Sequence, residues 1–360
     1  MRFKFSMVVL LVLGLCFTAT AASMTVKDIT GRTVALKAEP QRIICVGPGA
    51  LRLIVYLKAQ NRVVGVESME KRYASGRPYW LAHPKLNTLP TIGPGGPGAI
   101  NKKPDMEAVL RVAPDLIFAT YMEATVADEV ASTLGIPVVV LGYGELAVFD
   151  TAVYNSLRLV GNILGNDARA RAVIEFIEGV RTDLGRRATD TGGDGPGVFV
   201  GGIGHRGVHG IESTQRNYIP LDWNHARNAA QQVKATVGSH VMMDKEILLR
   251  LDPDVIFIDG GGLALVAEDY RRKPDFYNAL KAFREKKVYG LLPFNYYTTN
   301  IGTAMADAYA IGKTISPSHF TDVDLAAKAD EIYIFLVGKP VYAVMQAEYG
   351  RLGQVVPFIE

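Results

Sequence analysis

Fifteen residues of this 360-residue chain occur twice, and the duplication restricts the folds open to it. Residues 106–120 read MEAVLRVAPDLIFAT and residues 245–259 read KEILLRLDPDVIFID, so seven positions match without a gap at a separation of 139. Each copy has an amphipathic stretch, then Pro-Asp, then an unbroken apolar run. Those are the parts of a helix that turns into a parallel strand buried on both faces. A chain that is 49% hydrophobic and too long for one ordinary core is therefore predicted to form two related α/β lobes. Each copy also carries a glutamate, Glu107 or Glu246, at the same place in its helical stretch. Whatever one lobe presents there, the other presents too.

The first residues supply Arg2 and Lys4, an apolar run over 7–17 and small residues up to Ala22. This is the pattern of a secretory signal peptide, and export is expected. The run is short for a membrane span, and no later segment is long and apolar enough to make one. Cys16 follows the bulky Leu15 where a lipobox has a small residue, so lipid anchoring is not expected. Removal of the leader leaves Cys45 alone, within IICV, so the mature chain has no internal disulfide and that thiol is expected in the core. The formal charge falls from +3 to about +1 when Arg2 and Lys4 leave, which gives no reason to expect a nucleic-acid partner.

Along the rest of the chain, residues 28–36 alternate around Gly31-Arg32 as a hairpin, and 42–46 read as a strand entering Gly47-Pro48-Gly49. A helix is predicted from about Ala50, then strands at 63–66 and 137–141, with a polar and aromatic loop over 67–84. Helical spacing over 149–187 is split by Gly161 and by Gly165-Asn166-Asp167, and its second half, about 167–187, reads as a rigid connection. The glycine-rich stretch 190–197 marks the entry to the second lobe, with strands at 198–201 and 288–291 and helices over 301–349. The expected organisation is a leader (1–22), a first α/β lobe (23–148), linker helices (149–189) and a second α/β lobe (190–360). Alternating strands and helices imply mostly parallel sheets, with a ligand cleft between the lobes.

The hairpin DITGRTVAL, the segment PQRIICVGPGALRLIVYL followed by VVGVE, the paired glutamate and Pro-Asp blocks, LGIPVVVL, and SLRLVGNILGNDARA together resemble the helical-backbone class of periplasmic substrate-binding proteins. That group serves ATP-driven uptake of ferric siderophores, haem and cobalamin, and the resemblance covers essentially the whole mature chain. It implies two lobes joined by a helix, a ligand held between them, and one exposed glutamate per lobe that docks on arginines of a membrane permease. Glu107 and Glu246 are the matching residues. The implied partners are that permease and a small-molecule metal chelate or oxyanion. The receptor is expected to be a monomer that needs no cofactor.

Ligands of parallel α/β lobes lie beyond the carboxyl ends of the strands. The loops selected by that rule gather Tyr73, Arg77, Tyr79, Trp80, Tyr121 and Tyr143 from the first lobe, with His205, Arg206, His209, Tyr296 and Tyr297 from the second. Aromatic faces mixed with cationic donors suit a bulky anionic chelate, and the resemblance implies that its metal is iron, so an iron chelate is the expected cargo. Molybdate or tungstate, cobalamin and haem are alternatives on the same architecture. A secreted metal-dependent enzyme using His205 and His209 is an alternative of another class, but glycine around that pair argues against helical metal-ligand spacing, and no protein metal site is expected. Two G-x-G-x-x-G matches, at 93–98 and 202–207, lack the context of a dinucleotide site. Pro94 and Pro97 remove donors from the first, and no clear helix follows the second. No P-loop, nucleophile elbow or zinc-protease motif is present, so no catalytic residue is expected.

Overall fold

The computed structural model describes residues 23–72, 76–144, 149–188 and 195–359. The expected leader therefore lies outside the described residues, as do parts of both expected lobe boundaries. Among the described residues no helix is long and apolar enough to cross a membrane.

The chain opens with an antiparallel hairpin, β1 (Met24–Lys27) and β2 (Thr33–Leu36). Its turn falls at 28–32, so the first strand precedes Asp28 instead of starting there, as the alternation had implied. Asp28 draws the chain round, since its Oδ1 accepts from the amides of Thr30 (3.1 Å) and Arg32 (3.0 Å). Arg32 then donates to the Val138 carbonyl at 3.0 Å, which ties the hairpin to the first lobe.

The first lobe is a parallel sheet of β3 (Ile43–Val46), β4 (Val63–Gly65), β5 (Leu116–Thr120) and β6 (Val138–Leu141), in the order β4-β3-β5-β6. The second contains β7 (Val198–Gly201), a short antiparallel pair β8 (Ser213–Gln215) and β9 (His240–Met242) that the sequence reading did not foresee, and then β10 (Val255–Asp259) and β11 (Val288–Leu291). Its parallel sheet has the order β11-β10-β7. The two repeat copies build the interior strands β5 and β10. Each is preceded by a seven-residue helix, Met106–Val112 or Lys245–Leu251, that ends in a left-handed residue, Ala113 (φ 42°) or Asp252 (φ 34°), before proline. The duplication is thus structural down to the helix ends.

Side chains alternate across each strand, and the cores follow that alternation. Ile43, Cys45 and Phe118 of the first sheet and Val198, Val200 and Phe257 of the second belong to one central cluster. Ile44, Ile117 and Val140 face a separate cluster on the outer side of the first sheet, and Phe199, Ile256 and Ile258 do the same on the second. Cys45 is buried, as expected. The helix Ile301–Ile315 runs through the central cluster, and Leu325–Val337 returns to pack on the first-lobe helices Ala50–Tyr56 and Pro78–Ala82.

The linker helix Asp167–Arg187 has 21 residues, a rise of roughly 30 Å. Both ends are fastened. Near its start Arg169 Nε donates to the Tyr56 carbonyl at 2.8 Å, and at its end Arg187 makes two contacts of 2.6 and 2.7 Å with Asp322. The preceding helix Ala152–Ile163 packs against it at Gly161, where a Cβ would come within 2.7 Å of the Ala170 methyl. A helix held at both ends resists the backbone changes that a loop hinge absorbs.

Candidate functional site

The carboxyl ends of the two sheets face a cavity of about 490 Å³. Pro48, Met69, Pro97 and Ile100 line it from the first lobe. Gly204, His205, Arg206, Gly207, Val208, Asp259, Gly261, Pro293 and residues 295–298 line it from the second. The lining follows the loops after β3, β4, β7, β10 and β11, as the strand-end rule requires. Four of the expected ligand residues meet there: His205, Arg206, Tyr296 and Tyr297. Arg206 is exposed, sits in the left-handed region (φ 56°), and has no ion pair among the described residues.

The other expected residues that the structure describes do not line this cavity. Tyr73 lies outside the described residues. Arg77 is fully buried, pairs with Glu70 Oε2 at 2.5 Å and donates to the carbonyls of Met69, Glu70 and Arg72. Tyr79 donates to the same Glu70 oxygen at 2.6 Å, and Trp80 lies against the Arg77 guanidinium. Glu70 has thus drawn the expected cleft cation inward, because a buried guanidinium requires a counter-charge. Of the two arginines expected in the cleft, Arg206 lines the cavity and Arg77 does not.

Tyr121 and Tyr143 serve the contact between the lobes. Tyr121 Oη lies 3.3 Å from Thr298 Oγ1, and Tyr143 donates to the Thr299 carbonyl at 2.9 Å. Beside them is a residue the sequence reading passed over, Arg52. It is fully buried on the first-lobe helix, yet all its bonds but one cross to the second lobe: Asn300 Oδ1 at 3.1 Å and the carbonyls of Thr299, Tyr296, Tyr297 and Thr298 at 2.7 to 3.3 Å. The remaining bond is to Tyr143 Oη, at 2.8 Å. Gly49 permits this approach, since a Cβ there would come within 2.5 Å of the Tyr143 ring. A lone arginine inside ALRLIVY was the available signal.

Glu67 makes a second crossing contact. Its Oε2 accepts from Tyr297 Oη at 2.5 Å and from the Gly47 amide at 3.1 Å. Burial pushes its carboxyl up to about 7, against the hydrogen bond from Tyr297. A buried acid raised in this way is easier to keep protonated in the folded chain than in the unfolded one, so its ionisation costs stability as pH rises from about 4.5 to about 7. Glu67→Gln removes that cost. Relative to wild type, the variant is expected to gain up to about 3 kcal/mol between pH 4.5 and pH 8. Urea unfolding at the two pH values checks this, and an unchanged difference contradicts it.

His205 and His240 stack at 4.2 Å and 12°, while His209 Nε2 meets the His205 carbonyl at 2.8 Å. Burial first, then the neighbouring cationic groups, lower both His205 and His240, the latter to about 4. Nitrogen lone pairs lie in the ring planes, so near-parallel stacked rings do not converge on one ion. Among the described residues no set of three or more His, Cys, Asp or Glu is placed to hold a metal.

Two α/β lobes, a helix fastened between them and a cavity at the facing strand ends define a receptor that takes a solute into its cleft. The chain belongs to the periplasmic binding protein family, which it matches over residues 43–293, in the helical-backbone class that serves ABC importers. It is 23% identical to the molybdate-binding protein MolA of Haemophilus influenzae, over 92% of this chain and 96% of that one. It is also 23% identical to an uncharacterised ABC transporter substrate-binding lipoprotein, YvrC of Bacillus subtilis, over 75% of this chain and 78% of that one. A periplasmic solute binding protein of Veillonella parvula superposes with a TM-score of 0.71 at 20% identity, covering 91% of this chain and 97% of its own.

Proposed function

We propose that this chain is the exported receptor of an ABC importer, and that it carries an anionic iron chelate to a permease on which it docks through Glu107 and Glu246. The single supporting observation for the cargo is the cavity. At about 490 Å³, with Pro48, Met69, Pro97, Ile100, Val208 and Tyr296 around it and Arg206 at hand, it suits a bulky ligand with an apolar rim and peripheral oxygens. A bare tetrahedral oxyanion would fill a small part of that space. Oxyanion capture is nevertheless the second reading, because the relative matched along nearly its whole length is named for molybdate.

Arg206→Ala is expected to weaken chelate binding about 10- to 100-fold, the loss of a charge-assisted contact, with no change in unfolding midpoint. Calorimetric titration checks both values. The decisive experiment for the cargo is native mass spectrometry of the receptor purified from its own periplasm. A co-purified ferric complex is expected, and a molybdate or tungstate adduct would transfer the proposal to the second reading. The same spectrum tests the termini, with cleavage near residue 22 expected and an acylated Cys16 contradicting a free receptor.

A further inference from the structure

The two repeat helices share more than a glutamate. Three positions on, the first carries Leu110 and the second Leu249, which are 54% and 36% exposed although both are large apolar residues. The next positions are Arg111 and Arg250, also exposed. The opposite faces are used up in the cores, with Ala108, Val109 and Val112 buried in one lobe and Leu248 in the other. Residues three apart on a helix are surface neighbours, so each lobe presents a glutamate and a leucine side by side, 139 residues apart in sequence. Single exposed leucines are ordinary and carry no meaning. An exposed leucine at the same position of both copies, beside the same charge, is a repeated surface.

We infer that each tip docks through a two-part contact, in which the glutamate meets a cation and the adjacent leucine enters an apolar depression beside it. The partner that fits is a pair of like permease subunits, each offering an arginine next to an apolar pocket. A two-fold-related partner meets equivalent patches most simply when the receptor supplies them twice. The inference rests on the proposed docking through Glu107 and Glu246 and adds a component to it. The charge steers and orients, while burial of the leucine holds the complex once water has been expelled. The Glu107–Arg111 pair is open to such a partner, since its 3.9 Å separation and high exposure on both sides leave the carboxylate largely unneutralised.

The test compares two double variants of the full-length mature receptor on right-side-out membrane vesicles from the native cells, read as the concentration for half-saturation. Leu110→Asn with Leu249→Asn is expected to weaken binding about 100-fold, roughly tenfold per tip, with the unfolding midpoint and Arg206-dependent ligand binding unchanged. Glu107→Gln with Glu246→Gln is expected to weaken it as well. A photo-crosslinking residue at 110 or 249 is expected to label an integral permease subunit, identified by mass spectrometry. If the leucine variant binds as wild type while the glutamate variant does not, the apolar part is overturned and docking through the acids survives. Wild-type binding by the glutamate variant removes the docking reading and this inference together.

Discussion

Replacing Glu107 and Glu246 together with alanine is expected to abolish uptake while leaving ligand affinity as it was. Neither residue lines the cavity, and the Glu107 side chain is 90% exposed. Such surface positions shift stability by about 0.5 kcal/mol or less, with a further few tenths from the lost favourable charge near a helix N-terminus. An intermolecular Arg-carboxylate pair contributes more, because the partner is desolvated on docking and its geometry is bidentate. Losing two such pairs is expected to reduce productive docking at least about 100-fold, and a single substitution to give an intermediate rate. Uptake by cells carrying the variant receptor, set beside ligand titration of the purified protein, separates the effects. A fall in affinity with normal uptake would place these glutamates at the ligand.

Arg52→Ala is expected to be the most damaging single substitution in the cleft. The guanidinium is wholly buried on one lobe and satisfies four consecutive carbonyls, residues 296–299, on the other. Truncation takes this donor from all four oxygens; Thr299 keeps the Tyr143 hydroxyl at 2.9 Å and Tyr296 keeps the Asn300 amide at 3.0 Å, while the Tyr297 and Thr298 carbonyls lose the guanidinium that joins them to the first lobe. The expected loss is about 3–5 kcal/mol of unfolding free energy. Residues 296–298 also line the cavity, so surviving folded protein is expected to bind ligand more weakly. Arg52→Lys is expected to recover only part of the loss, since an ammonium has three donors and lacks the planar fork that spans several carbonyls. Urea unfolding with parallel ligand titration checks both variants. Arg52→Ala with wild-type stability would contradict the view that this residue joins the lobes.

The fold was readable where the pattern was periodic and local. The repeat identified β5 and β10 with their helices because its apolar runs are continuous and its Pro-Asp turns are unambiguous. The linker helix was readable from the helical spacing that resumes after Gly165-Asn166-Asp167. The three-residue strands β8 and β9 were not, because neither is long enough to show alternation. The cleft was legible to the level of loops but not of side chains. Arg206, Tyr296 and Tyr297 reach the cavity because their loops leave strand ends directly. Arg77, Tyr79 and Trp80 do not, because Glu70, seven residues before Arg77 and buried itself, recruits the arginine and the tyrosine hydroxyl. The direction in which a loop folds is decided by such long-range pairing, which spacing does not encode. Arg52 shows the converse: a charge within an apolar helix signals a buried polar partner, but not that the partner is the opposite lobe.

Titration of the purified receptor, followed by its tyrosine and tryptophan fluorescence, tests the central claim most directly when run against ferric chelates, haem, cobalamin and molybdate in parallel. A saturable 1:1 response to a ferric chelate is expected, weakened by Arg206→Ala and unaffected by the Glu107 and Glu246 substitutions. Silence toward every ferric chelate, with saturable binding of molybdate or of one of the other ligands, would contradict it.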